Sequence, residues 1–166
     1  MLDNNILQLP EHFRLICDQA RKEKIRLDFN QGLDHKLLND DICMELSTIR
    51  HKEYHFAFDD IKYEKTVLRA IDLLSKHGIK QARWYLLVGY NSTIEDDLYR
   101  MNLLKSHGHI PYVMRYETCR GIKIYNDLAA WGNQANFFKK TTFEEFVKIR
   151  NGDKSCLKEN NLILEV

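Results

Sequence analysis

The residues best suited to chemistry in this 166-residue chain are small polar groups that recur after apolar runs. They are Asp3, Asn4 and Asn5, then Asn30 and Gln31, then Asp59 and Asp60, then Asn91, then Glu117. Asp28 and Arg115 fall inside the runs themselves. Carboxylates accept hydrogen bonds from hydroxyls such as those of a ribose, and amides both donate and accept. Asp59 and Asp60 are the most charged point of the series. Neighbours at a strand end point in different directions, so adjacency alone does not make them an acid–base dyad. The pair reads equally as an anion at the N-terminus of the helix over 62–76. Gly89 stands where a buried run meets a helix start, so a ligand can approach its backbone and an anionic group can meet free N–H groups. Asn, Asp and Gly are also the ordinary residues of turns at strand ends, and each position has that second reading.

Several known devices are missing. There is no G-x-G-x-x-G, no Walker loop and no G-x-S-x-G, so neither a familiar phosphate cradle nor a nucleophile elbow is written in the chain. Of seven histidines, only His107-Gly108-His109 has ligand-like spacing. At a helix end it suits the helix dipole better than a metal. His55 alternates with Tyr54 and Phe56 and reads as ligand-facing or as core. Cys17, Cys43, Cys119 and Cys156 make no C-x-x-C pair, which argues against a zinc ribbon or a thioredoxin motif. Cys17 and Cys43 fall on apolar helix faces, and Cys119 falls in a loop.

The elements that position these residues repeat. Apolar, aromatic-rich runs at 25–29, 54–58, 82–89 and 112–116 have centres about 27–30 residues apart, the length of a strand plus a crossover helix. Met1–Leu2 and 162–166 read as further short strands. Between the runs, Pro10 suits a first helical position, followed by Phe13, Ile16, Cys17 and Ala20 at helical spacing. Asn39 caps a helix carrying Ile42, Leu46 and Ile49. Val67, Leu68, Ile71 and Leu74 form a stripe ended by Gly78. Ser92-Thr93-Ile94-Glu95 reads as a capping box before Leu98, Met101 and Leu104, and Gly108 ends that helix. Trp131, Ala135 and Phe138 mark one later helix. Thr142 to Glu145 caps the last, with Phe143, Phe146 and Val147 buried.

This pattern predicts an α/β fold: a parallel sheet of four to five strands with right-handed crossovers, an incomplete (β/α) barrel arc, plus C-terminal helices. Eight such units take about 250 residues to close a barrel, so this chain cannot close one. It predicts a single domain over 1–150 with a helical cap from about 125, and a tail at 151–166. Ligands in such folds bind beyond the C-terminal strand ends, which gathers the polar residues on one rim. The net charge is +1, from 25 basic and 24 acidic residues. A balance that close leaves no strong attraction to nucleic acid or anionic lipid. No apolar run reaches the ~20 residues of a membrane span, and the first residues carry no secretory pattern. The expected compartment is the cytoplasm, with reduced thiols.

Three strings carry a family resemblance. They are Leu27 to Asp34, with Asn30-Gln31-Gly32-Leu33-Asp34 the most specific part; Tyr54 to Asp60; and Tyr85 to Asp97, with Val88-Gly89-Tyr90-Asn91 at its turn. In order and spacing they resemble the later strands of the radical S-adenosylmethionine superfamily. Asp3-Asn4-Asn5 with Pro10 is similar to the end of that core's second strand, and 111–117 to its sixth. The resemblance implies S-adenosylmethionine and a [4Fe–4S] cluster as the family's cofactors. The cluster is held by a C-x-x-x-C-x-x-C loop that this chain lacks; thiolates are what such a cluster requires. It therefore implies a C-terminal portion of a partial barrel, without cluster or catalysis of its own. The missing N-terminal half, or self-association through the open edge, would complete it.

By the same resemblance, Asn4 and Asn5 meet the amino and carboxylate groups of S-adenosylmethionine and Asp59 meets the ribose. Gly89 and Asn91 line the adenosyl pocket, and the backbone near Arg115 and Tyr116 flanks the adenine. Asn30, Gln31 and Asp60 face the substrate side. Two other readings stand beside it. One is a non-catalytic α/β module that binds a nucleotide or small ligand on the same rim. The other is an interaction domain working through the aromatic residues of 131–146.

Overall fold

Helical stripes alternating with short β-rich runs sort this chain into helices and strands, and the structure follows that alternation. It is a computed structural model and describes residues 5–153. Three strands form among those residues: β1 (His55–Ala57), β2 (Arg83–Val88) and β3 (Ile110–Arg115). They lie parallel, in the order β1-β2-β3. The chain divides into two units, Met1–Tyr85 and Leu86–Val166, with β2 running through the boundary.

In the first unit, α1 (Pro10–Lys22) starts on a proline that has no N–H to leave unpaired. α2 (Asp40–Thr48) is capped by Asn39, whose Oδ1 accepts from the Ile42 N–H at 2.9 Å. α3 (Glu64–Lys76) stops where Gly78 takes a φ of 79°. β1 pairs with the start of β2 in the register His55↔Arg83, Phe56↔Trp84, Ala57↔Tyr85. Side chains alternate across the sheet, so Tyr54, Phe56, Phe58 and Trp84 share one face and are fully buried. Phe13, Cys17, Cys43, Leu46, Val67 and Leu74 complete this core.

In the second unit, α4 (Ile94–Ser106) is followed by β3, then α5 (Lys123–Asn133), α6 (Ala135–Lys140) and α7 (Phe143–Arg150). At Gly132 a Cβ would lie 2.5 Å from Val113 Cγ2 and 2.6 Å from Met101 Cε, so the glycine lets α5 close onto β3. Trp131 packs on Phe138 and Phe143 at centroid distances of 4.7 and 5.7 Å. All three aromatics are buried, so they form a core rather than a displayed surface.

Some expectations need correction. Among the described residues, three strands form where the repeat predicts four to five, and they show no barrel arc. The run at 25–29 makes a single parallel bridge, Leu27↔His51. The ladder breaks because the chain turns at 29–32, where the Gly32 N–H donates to Phe29 O at 2.9 Å. Contact with the neighbour resumes as one bond, from the Leu33 N–H to His55 O at 2.7 Å. The first capping box sits one residue later than the pattern suggested, on Thr93 and Asp96. The helix expected around Trp131, Ala135 and Phe138 is two helices, broken at Gln134. The expected strands at Met1–Leu2 and 162–166 lie outside the described residues.

Candidate functional site

Ligand sites in parallel sheets lie at C-terminal strand ends, and that is where the first unit holds a cavity of about 270 Å³. Asn5, Gln31 and Asp59, three of the polar residues marked in the sequence, line it together. Each arrives from a different segment. Asn5 precedes a 3-10 turn at Ile6–Gln8, Gln31 rides the turn that ended the ladder, and Asp59 lies two residues past β1. The turn at 29–32 thus replaces a strand and supplies a wall of the cavity.

The adjacent carboxylates divide as strand geometry requires. Asp59 lines the cavity, whereas Asp60 caps the 3-10 turn at Ile61–Tyr63. Asp60 Oδ1 accepts from the Lys62 N–H at 2.9 Å, and Oδ2 pairs with Lys62 Nζ at 2.7 Å. Asn30 does not line the cavity. Its carbonyl accepts from the Tyr85 hydroxyl at 3.1 Å, and its amide nitrogen, turned to the carboxylate, meets Asp28 Oδ1 at 2.8 Å.

Other cavity residues carried no assigned role in the sequence. Asp34, His35 and Lys36 come from the turn at His35–Leu37, which Asp34 caps by accepting from the Lys36 N–H at 3.0 Å. His35 is buried, with Nε2 3.3 Å from Thr66 Oγ1. Burial holds its pKa below the ordinary histidine value, so the ring is neutral near pH 7. Lys36 Nζ sits 4.0 Å from the centre of the Tyr63 ring, a cation–π contact. Tyr85 supplies a second aromatic wall. Signals for these residues existed, because Gly32 to Lys36 continue the polar pattern after their run and Tyr85 lies within β2. Nothing local, however, distinguished a lining residue from a turn residue.

Gly89, Asn91 and Arg115 belong to the second unit. Gly89 has a φ of 75°, and a Cβ there would stand 2.1 Å from Cys119 Sγ. The space left by the missing side chain is therefore filled by a thiol, and the Gly89 N–H donates to Asp97 Oδ2 at 2.9 Å. Asn91 is exposed with a φ of 50°, a left-handed conformation that asparagine tolerates. The Arg115 guanidinium donates to Asn126 Oδ1. Asn4 lies outside the described residues.

Fit to the cofactors implied by the resemblance differs between the two groups. Burial pushes the Cys17 thiol up to about 12 and the Cys43 thiol up to about 11. Cys119 is packed over Gly89. These three do not offer the thiolate set of a [4Fe–4S] cluster. The cavity, by contrast, offers a nucleoside amides, a carboxylate and aromatic rings. At about 270 Å³ it falls just below the ~300–1,000 Å³ of ordinary ligand pockets, which favours something the size of a nucleoside over a dinucleotide. Compared with protein-family models, curated proteins and solved structures, the chain finds no match.

Proposed function

We propose that the first unit is a binding site for a small nucleoside-like ligand, the adenosyl group of S-adenosylmethionine being the first to try. The observation that carries this reading is the convergence of Asn5, Gln31 and Asp59 on one cavity beyond β1. Asp59 would accept from ribose hydroxyls, the two amides would read the ligand's polar edges, and Tyr63 and Tyr85 would cover its flat part. Titration calorimetry of the full chain with S-adenosylmethionine, S-adenosylhomocysteine and adenosine tests it. Micromolar binding of at least one, weakened about tenfold or more by Asp59→Ala, is expected. Binding of none overturns the reading.

A second reading is that the chain contributes the later strands of a radical S-adenosylmethionine-type site, within a larger barrel arc, while another polypeptide holds the cluster. It draws on β3, where Tyr112 and Met114 are 44% and 39% exposed although Val113 between them is buried. One face of that strand is left uncovered, as an open arc would leave it. Co-expression with a chain bearing the cysteine triplet should then yield a brown complex. Two well-folded proteins that stay separate would count against it.

A further inference from the structure

Beneath the cavity, on the same face of β1 as Ala57, lies His55, whose ring is parallel to that of Tyr85. The centroids are 5.3 Å apart and the planes differ by 7°. We propose that His55 is a positioning residue: its imidazole holds the Tyr85 ring in the cavity wall and so sets affinity for a ligand that His55 does not itself touch. This inference rests on the reading of the cavity as a nucleoside site.

The sheet register explains the stack. Ala57 pairs with Tyr85, and His55 pairs with Arg83 one step back. Alternation puts His55, Ala57, Arg83 and Tyr85 on one face, opposite buried Phe56 and Trp84. Tyr85 can therefore border the cavity beside Ala57 and still lie against His55 on the diagonal. The phenol is held at two points, by the imidazole and by its hydroxyl bond to Asn30 O. His55 Nε2 lies 3.6 Å from Glu53 Oε2, beyond hydrogen-bond reach, and that carboxylate accepts from Arg83 Nε at 2.7 Å. His55 Nδ1 is buried with no hydrogen-bond partner. An unmatched ring nitrogen costs stability that an aliphatic side chain would not. What the position uses is the flat ring.

The test compares His55→Ala, His55→Leu and His55→Phe in the full chain, with adenosine as the probe. Calorimetry gives the affinity, and NMR of tyrosine ring protons reports Tyr85 without ligand. Loss of one aromatic pair should weaken adenosine binding about 2- to 10-fold in Ala and Leu, and Phe should restore it to within about twofold. The Tyr85 ring signals should shift in Ala and Leu and return toward their original positions in Phe. Leu, which fills the space without being flat, serves if Ala does not fold. Unchanged adenosine affinity in Leu, or a Phe variant as weak as Leu, overturns the proposal while leaving the nucleoside reading intact. A wild-type chain that binds none of adenosine, S-adenosylmethionine and S-adenosylhomocysteine overturns both.

Discussion

Asp59 and Asp60 show how one step along a chain separates two roles. One carboxylate faces the cavity, and its neighbour is consumed in capping a turn and pairing with Lys62. The split follows from the alternation of side chains past a strand end, which the sequence already implied. His35 is the opposite case, since nothing in its neighbourhood announced burial. It has a testable consequence. Desolvation lowers its pKa in the folded chain, so as pH falls through the ordinary histidine value near 6.5 the unfolded state takes up a proton that the folded state resists. Stability from this group is complete above that value and declines below it, levelling once the folded-state pKa is passed. The urea midpoint should therefore drop between pH 7.5 and 5.5, and His35→Gln should reduce the drop. An identical pH dependence in the variant would refute the assignment.

At the scale of elements, hydrogen-bond accounting explains most departures from the simple repeat. The segment at 25–29 has the composition of a strand, but its turn at 29–32 spends the backbone on itself and leaves one bridge. The joint between β2 and α4 has a more costly device. Arg100 and Asp97 are both fully buried and 2.5 Å apart. Arg100 Nη2 also donates to Leu87 O at 2.9 Å, while Asp97 accepts from Gly89. The pair thus ties the helix to the strand end through the backbone of Leu87 and Gly89. Removing one member of such a pair strands a buried charge, at a cost of about 3–5 kcal/mol. Arg100→Met should lower unfolding free energy by that order in urea titrations. A loss under about 1 kcal/mol would show that the pair is dispensable.

Across the molecule, the near balance of charge leaves shape and edges to decide association. β3 ends the sheet among the described residues, and exposed edges invite pairing with other chains. Part of this edge is closed. Asn133 accepts from the Val113 N–H at 2.7 Å and donates to Val113 O at 3.0 Å, so one side-chain amide stands in for a neighbouring strand. The Tyr116 N–H, three residues on, instead bonds Val88 O at 3.0 Å, consistent with alternate residues pointing to opposite edges. Asn133→Ala should free both groups and make the sedimentation coefficient climb with concentration more steeply than in the wild type. Matching profiles would mean that the edge is guarded elsewhere. Among the described residues, no helix is long and apolar enough to cross a membrane.

Local chemistry was enough to decide several helix ends. Pro10, Asn39, Gly78 and Thr142 start or stop them as residue type dictates, because a cap or a break acts within one turn of the chain. The α/β class and parallel pairing were equally legible in the spacing of the runs. The sequence also put Asn5, Gln31 and Asp59 in one group through their shared place after apolar runs. It could not tell them from Asn30, which has the same type in the same place. Only the folded chain separates Asn30, because its partner Tyr85 lies 55 residues away. The same holds for Gly89, whose open side is filled by Cys119. A sequence specifies which backbone shapes are affordable at each residue, whereas which neighbour fills the remaining space is settled by packing across the whole fold.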